Sequence, residues 1–460
     1  MVGMKIVIVG CGQIGLAIIK SLLNEKHDVL AIDSNPAVVE NVINSLDVMG
    51  ICDKGVTYTK LKEAGVDKAD IFIAMTDSDE INMETCFVAK AMGARHTIAR
   101  IRGNEYNEPE NLAFIKEHFR ISMVINPEKS TAEAIYNMLR IPAATYVETF
   151  AGDEVEMIEL PVGKNPGITG VELYKLRKNY QQAFLICGVN RGGDFFIPGG
   201  ADVINEGDKI AVIVSKRDEQ KLLKELGFIT KPVKDVTVVG ASKTAIYLTD
   251  MLLNGKYGVK LIEKNRDKCV EIAKTLKRGA VVINGDGMSQ DLMNEEAVGK
   301  TDAIVPLTGK DEENILMSVY ANSYGFLKVV PKINEQQLFT IADSLNIKNY
   351  VSLQKTVADK IKRYVRSLDA PASAKIKKLY SVFDGLAEAD EFEVLSDFPF
   401  DGVPLKNLEF KKKALIASVV RGKNAFVPGG DDYLTAGDFV IVVSCDKITD
   451  FSGAIRLKQD

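Results

Sequence analysis

Val9-Gly10-Cys11-Gly12-Gln13-Ile14-Gly15 decides the fold of this chain. The segment ends an apolar run rich in β-branched residues, Lys5–Val9. It opens a stretch with helical spacing, Gln13–Leu23, carried by Ile14, Ala17, Ile18 and Leu22. A second apolar run, Val29–Asp33, ends in an acid 18 residues after Gly15 (33 − 15). A Gly-x-Gly-x-x-Gly turn between strand and helix, answered by that acid, is the pattern of a dinucleotide-binding βαβ unit. Gly10 permits the tight turn, Gly12 lets backbone approach a pyrophosphate, and Gly15 lets the helix pack on the strand. The helix N-terminus offers N–H groups and a favourable dipole to phosphates. Asp33 can accept hydrogen bonds from both hydroxyls of an adenosine ribose, and its charge repels a 2′-phosphate.

Working outward, Val48–Ile51, Ile71–Met75, Thr97–Arg100 and Met123–Ile125 read as further buried strands. Helical patterns lie between and after them at Pro36–Ser45, Thr57–Ala64, Glu80–Met92 and Glu128–Leu139. The alternation predicts an α/β, doubly wound parallel sheet (Rossmann-like). Ligands of such sheets bind at the C-terminal strand ends, which adds Asp53, Thr76-Asp77 and Arg100 as candidates. Arg100 can neutralise a phosphate; Asp77 and Asp79 read equally well as helix caps. After Pro142, Thr145–Glu148 and Glu154–Leu160 alternate as half-buried strands do. A helix at Val171–Arg177, strands at Ala183–Val189, Phe195–Ile197 and Lys209–Val214, and a helix at Asp218–Leu226 complete a smaller α+β module.

The chain then repeats itself. Val239-Gly240-Ala241-Ser242-Lys243-Thr244-Ala245 answers the first turn, and Glu263 stands 230 positions after Asp33 (263 − 33). Arg191-Gly192, Phe196, Pro198-Gly199-Gly200, Asp202 and Gly207-Asp208 return as Arg421-Gly422, Phe426, Pro428-Gly429-Gly430, Asp432 and Gly437-Asp438. The order is large, small, large, small, with expected bounds 1–140, 143–228, 233–368 and 374–458 and a linker at Asp369–Ser373. The second turn departs from the first: Ser242 replaces the middle glycine and Ala245 the last. Thr308-Gly309 and Asp311-Glu312-x-Asn314 match Thr76-Asp77 and Asp79-Glu80-x-Asn82. Two readings stay open there: a nucleotide site in which Lys243 serves the phosphate and Glu263 the ribose, or a degenerate structural copy.

The net charge of −5 gives no footprint for nucleic acid. Six cysteines without a CxxC pair point to a reducing cytoplasm rather than a disulfide frame or zinc site. His27, His96 and His118 show no metal-ligand spacing. No stretch approaches the roughly 20 apolar residues that span a bilayer, so the expectation is a soluble chain without direct membrane insertion. An NAD-dependent oxidoreductase is the alternative function and needs a proton donor or acceptor beside the cofactor. Tyr174 with Lys178 is the nearest pair of that kind, and it lies in the small module. A scaffold holding nucleotide as a permanent filler is a third reading.

The combined pattern resembles the TrkA family of potassium-uptake regulators, built from tandem RCK (regulator of K⁺ conductance) domains. Val9–Gly15, Met75–Asn82, Ile98-Ala99-Arg100-Ile101-Arg102 and the doubled Pro-Gly-Gly…Gly-Asp signature carry the resemblance, which spans essentially the whole chain. The duplicated unit shows no obvious reaction centre, which points to a sensor more than to an enzyme; the resemblance implies alternating RCK-N and RCK-C modules and a cytoplasmic ring, usually a homotetramer. It also implies docking beneath a membrane potassium translocator of the TrkH/TrkG kind, hence a peripheral place on the inner face of the membrane. Carried to matching positions, contacts to NAD(H) or to ATP/ADP fall on Gly10, Cys11, Gly12, Gln13, Ile14, Asp33, Thr76, Asp77 and Arg100. In the second copy they fall on Gly240, Ala241, Ser242, Lys243, Thr244, Glu263 and Thr308.

Overall fold

The computed structural model describes residues 3–53, 57–106, 108–164, 167–180, 183–228, 231–276, 279–369, 376–411, 413–448 and 450–458. The first segment runs β1 (Lys5–Val9), α1 (Gln13–Asn24), β2 (Asp28–Asp33), α2 (Pro36–Ser45), β3 (Met49–Cys52), α3 (Tyr58–Glu63), β4 (Ile71–Ala74), α4 (Asp79–Met92), β5 (His96–Arg100), α5 (Pro109–His118), β6 (Met123–Ile125) and α6 (Pro127–Arg140). The next comprises β7 (Tyr146–Phe150), β8 (Val155–Pro161), α7 (Leu173–Asn179), β9 (Phe184–Arg191), β10 (Asp194–Phe196), β11 (Lys209–Ser215) and α8 (Glu219–Glu225). The third holds β12 (Asp235–Val239), α9 (Lys243–Asn254), β13 (Gly258–Glu263), α10 (Arg266–Thr275), β14 (Val281–Asn284), α11 (Gln290–Glu295), β15 (Ala303–Pro306), α12 (Asp311–Tyr324), β16 (Lys328–Val329), α13 (Gln336–Ser344) and α14 (Leu353–Asp369). The last has β17 (Ile376–Val382), β18 (Ala387–Glu393), β19 (Leu408–Phe410), β20 (Ala414–Arg421), β21 (Asn424–Phe426), β22 (Phe439–Ser444), α15 (Phe451–Ala454) and β23 (Ile455–Leu457).

These segments form two compact units, Met1–Tyr136 with Lys234–Lys362 and Asn137–Val233 with Arg363–Asp460. The first unit contains both nucleotide-type halves. Its first sheet has the order β3-β2-β1-β4-β5-β6 and is parallel throughout. Helices cover both faces of such a sheet, so Ile6, Val7, Ile8 and Val9 are all buried and the strand reads as an unbroken apolar run. The second sheet, β14-β13-β12-β15-β16, has five strands; a single Lys332–Val351 bridge stands where β6 would be. The segment from Arg100 to Met123 carries no sequence-based expectation, yet α5 lies there. Only Ile115 of that helix is buried, so its apolar periodicity is faint.

The second unit contains both small modules, each built on a five-stranded antiparallel sheet. The alternation in Glu154–Leu160 predicts a half-buried strand, and β8 departs from this: Val155 to Leu160 are all buried. Ile158 and Leu160 enter the core of the first small module. Val155 and Met157 join Tyr380, Val382, Ala389 and Val443 of the other module in a shared core. Glu159 accepts hydrogen bonds from Tyr380 Oη (2.6 Å) and the Phe383 N–H (2.8 Å), while Glu391 accepts from the Ala151 N–H (2.7 Å). Each module thus lends one buried glutamate to the other's turn. The expected linker falls mostly on 370–373, outside the described residues.

Candidate functional site

β1 ends at the Gly10 turn, where φ is +90°, a left-handed conformation that glycine tolerates. A Cβ on Gly10 would stand 2.6 Å from backbone atoms of Met75 and Thr76, so β1 and β4 meet too closely here for any side chain. A Cβ on Gly15 would lie 2.1 Å from the Gly10 carbonyl oxygen, which explains how α1 presses onto its own turn. Gly12 differs, because a Cβ there would meet nothing within 4 Å. Gly12 is also the N-cap of α1, and among the described residues no side-chain cap hydrogen bond is made to that first turn. An open cradle therefore faces an uncapped helix end, which fits a phosphate. Gln13 is exposed and accepts from Gln354 Nε2 (3.3 Å), and Ile14 is half-buried. Cys11 faces inward; burial, with the Asp33 charge adding to it, pushes its thiol up to about 12.

Asp33 accepts the Cys11 N–H on Oδ2 (2.7 Å) and the Asn35 N–H on Oδ1 (2.9 Å). The carboxylate pins the glycine turn to the corner after β2, and each oxygen keeps capacity for a ribose hydroxyl. Asp53 is half-buried at the tip of β3, its N–H bonded to the Asp33 carbonyl (2.9 Å). Thr76 is clipped by fully buried Asn82, whose Oδ1 accepts the Thr76 N–H (2.9 Å) and hydroxyl (2.7 Å). Asn82 Nδ2 bonds the carbonyls of Thr76 (3.1 Å) and Arg100 (2.9 Å), joining the ends of β4 and β5. Sequence reasoning assigned Asn82 no role, although its reappearance as Asn314 was the available signal. The helix cap of α4 is Ser78, not Asp77 or Asp79. Asp79 Oδ2 instead accepts the N–H groups of Arg102 (2.8 Å) and Gly103 (2.7 Å).

Arg100 is buried, and the structure gives it partners within the protein. Its Nη1 contacts the Thr76 carbonyl (3.4 Å) and Asp77 Oδ1 (3.2 Å), and Nη2 lies 3.8 Å from Glu128 Oε1. Burial and then nearby Arg102 lower its pKa, opposed by Glu128 and Asp77. Through Thr76 the guanidinium is one residue removed from the Gly10 turn. Glu128 and Arg102 complete this charged group; Arg102 stands in the Ile98–Arg102 motif without a site role, and Glu128 lies outside every motif of the sequence.

The second half repeats the frame. Gly240 has φ +94°, Glu263 accepts the N–H groups of Ala241 (2.8 Å) and Asn265 (2.7 Å), and Asn314 clips Thr308 as Asn82 clips Thr76. The crevice itself differs. Ser242 Oγ accepts the Ala245 N–H (3.3 Å) and so caps α9. Thr244 is buried and Lys243 exposed. In the loop after β14, a Cβ on Gly287 would stand 2.3 Å from the Val239 side chain, so this loop leans on the end of β12. Lys264 is paired with Asp286 (2.9 Å) beside it.

The doubled signature of the small modules has a structural explanation. Arg191 grips Asp208 through two hydrogen bonds (2.9 and 2.8 Å), and Arg421 grips Asp438 likewise (2.8 and 2.7 Å). Asp202 and Asp432 accept the N–H of Gly199 and Gly429 (2.7 and 2.6 Å). Tyr174 is exposed, with the Lys178 ammonium 6.0 Å from its ring. Among the described residues no group of His, Cys, Asp or Glu could hold a metal ion, and no helix is long and apolar enough to cross a membrane.

Residues 6–127 and 236–353 match the TrkA-N domain family, and residues 157–227 and 391–445 match the TrkA-C domain family. The chain is 30% identical to the Trk system potassium uptake protein TrkA of Azorhizobium caulinodans, over 95% of each chain. It is also 30% identical to the Trk system potassium uptake protein TrkA homolog of Archaeoglobus fulgidus, over 95% of this chain and 97% of that one. Among solved structures, the GsuK channel bound to NAD superposes with a TM-score of 0.63 at 15% identity, covering 96% of this chain and 77% of that chain. That last likeness concerns the fold: parallel-sheet, Rossmann-like halves combined with small antiparallel modules.

Proposed function

The chain belongs to the TrkA family of Trk-system potassium uptake proteins, and from that premise we propose that it is a regulatory subunit that senses an adenine nucleotide, NAD(H) or ATP/ADP, and gates potassium flux. The observation that carries the reading is the contrast at the α1 N-terminus: an open cradle beside Gly12, helix N–H groups without a side-chain cap, and Asp33 at the adjoining strand tip. In this reading Gly10–Ile14 hold phosphates, Asp33 holds the adenosine ribose, and Asp53, Thr76, Asp77 and Arg100 line the rest of the crevice. The NAD named for the GsuK channel supports the ligand class. One site per chain is proposed. Ser242 caps its own helix, so Gly240–Thr244, Glu263 and Thr308 form a structural copy.

The assembly is read as RCK-N 1–140, RCK-C 143–228, RCK-N 233–368 and RCK-C 374–458. The proposed partner is a membrane potassium translocator of the TrkH/TrkG kind, met by a homotetrameric ring on the cytoplasmic side. Nucleotide can shift the gate only by its difference in affinity between two states, about 1–3 kcal/mol in typical allosteric systems. A thermal-shift panel with NAD⁺, NADH, NADP⁺, ATP and ADP tests the reading. Stabilisation by at least one ligand without a 2′-phosphate is expected. NADP⁺ as the best ligand would remove the role given to Asp33, and no shift with any of the five would remove the sensor.

A further inference from the structure

Glu128 heads α6 in a cluster of charges with incomplete hydrogen bonding. Its Oε1 lies 3.8 Å from Arg100 Nη2 and 4.0 Å from Arg102 Nη1, attractive distances but too long for hydrogen bonds. Lys332 of the second half also feels its charge. Among the described residues four buried atoms of this cluster have no hydrogen-bond partner, Glu128 Oε2, Arg100 Nε, Arg102 Nε and Asp79 Oδ1, the last two facing each other as an ion pair at 3.9 Å. Buried charges are ordinarily paired and hydrogen-bonded, so the arrangement is one that a better partner can replace. A phosphate at the Gly10–Gly15 turn is such a partner, since it offers Arg100 the charge-assisted bonds that Glu128 does not make.

The surroundings of Glu128 say what such a replacement would touch. Asn126 caps α6 by accepting the Lys129 N–H (2.9 Å), and its amide donates to Tyr247 Oη (3.0 Å) on α9. Lys360 on α14 donates to Ser130 Oγ (3.0 Å). The first turn of α6 is therefore where both nucleotide-type halves grip one helix end.

We propose that Glu128 is the buried counter-anion of Arg100, beside the exposed Asp77, and is exchanged for a ligand phosphate when the first crevice fills, so that occupancy is coupled to the head of α6. This rests on the nucleotide reading above. Glu128 is a positioning residue here: it competes with the ligand rather than binding it.

The test is titration of the full chain with ADP and with NAD⁺, both in EDTA, for wild type, Glu128→Gln, Arg100→Gln and the double variant. Removing the competitor makes Glu128→Gln bind about 3- to 10-fold more tightly than wild type, and the gain vanishes in the Arg100→Gln background. Unchanged or weaker binding by Glu128→Gln, or an equal gain without Arg100, overturns the proposal. Should Glu128→Gln fail to fold, Glu128→Asp draws the charge back by one methylene; tightening supports the exchange and unchanged or weaker binding overturns it. Amide exchange over residues 127–133 reports the coupling: ADP changes it in wild type and leaves Glu128→Gln unmoved, whereas identical responses overturn the link. Wild-type protein that binds neither ligand removes the nucleotide reading as well, while wild-type binding with an indifferent Glu128→Gln removes this proposal alone.

Discussion

At Gly12 an added Cβ would meet nothing within 4 Å, whereas its counterpart Ser242 turns a hydroxyl onto the Ala245 N–H at 3.3 Å. Around that one difference the two crevices share their frame. Asp33 and Glu263 each accept two backbone N–H groups, and Asn82 and Asn314 each clip a threonine at the end of the fourth strand. The acid at the second strand tip therefore holds backbone in both halves before any ligand is considered. A carboxylate there does not alone report a ribose. The condition of the helix end does, because a helix that already satisfies its first N–H groups has less to offer a phosphate.

Gly12→Asp should break the comparison most strongly. The fold has room for it, but the new carboxylate faces phosphate, and affinity for ADP or NAD⁺ should fall by about 100-fold or more in calorimetric titration. Ser242→Asp should leave affinity unaltered; an equal loss there would show that the second crevice binds. Next in size, Asn82→Ala and Asn314→Ala should each cost about 2–3 kcal/mol by denaturant unfolding, since buried backbone groups lose their partners. A much smaller cost in one half would mean that the two frames are not equivalent. Asp33→Ala and Glu263→Ala should each cost about 1–2 kcal/mol, yet only Asp33→Ala should weaken binding beyond about tenfold. Ser242→Gly is the gentlest probe, with a stability change of a few tenths of a kcal/mol, about what an N-cap serine-to-glycine change costs. Its ligand stoichiometry should stay at one per chain, because the Gly287 loop still leans on Val239. A rise to two would assign the closure to the serine alone.

Much of the first half was legible because local signals agree there. The run Lys5–Val9 is a strand with those bounds, and Pro36–Ser45 is a helix with those bounds, its start marked by Asn35 as cap and proline at the first turn. The three glycine tasks could be read because each follows from the absence of a Cβ. What escaped depends on distant partners. Glu156 and Glu159 lie on opposite faces of β8, of which an alternating strand leaves one to solvent, but both are buried, one against Arg140 and the other against Tyr380. No periodicity in β8 announces that a second module, more than two hundred residues later, covers its outer face. In the sequence Arg100 reads as a phosphate partner or a solvated charge because its motif names no companion; Asp77 lies next to it in space, and Glu128 comes from a helix 28 positions on (128 − 100).

The reciprocal glutamates of the small modules have a consequence for how the chain behaves on dilution. Glu159 serves the Phe383 turn and Glu391 the Ala151 turn, so both partners of this handshake travel on one polypeptide. Tethering replaces a bimolecular encounter by an internal one at an effective concentration of order millimolar. The pair should hold together at concentrations where two separately encoded modules would drift apart, and duplication has left each copy free to change without first finding a mate.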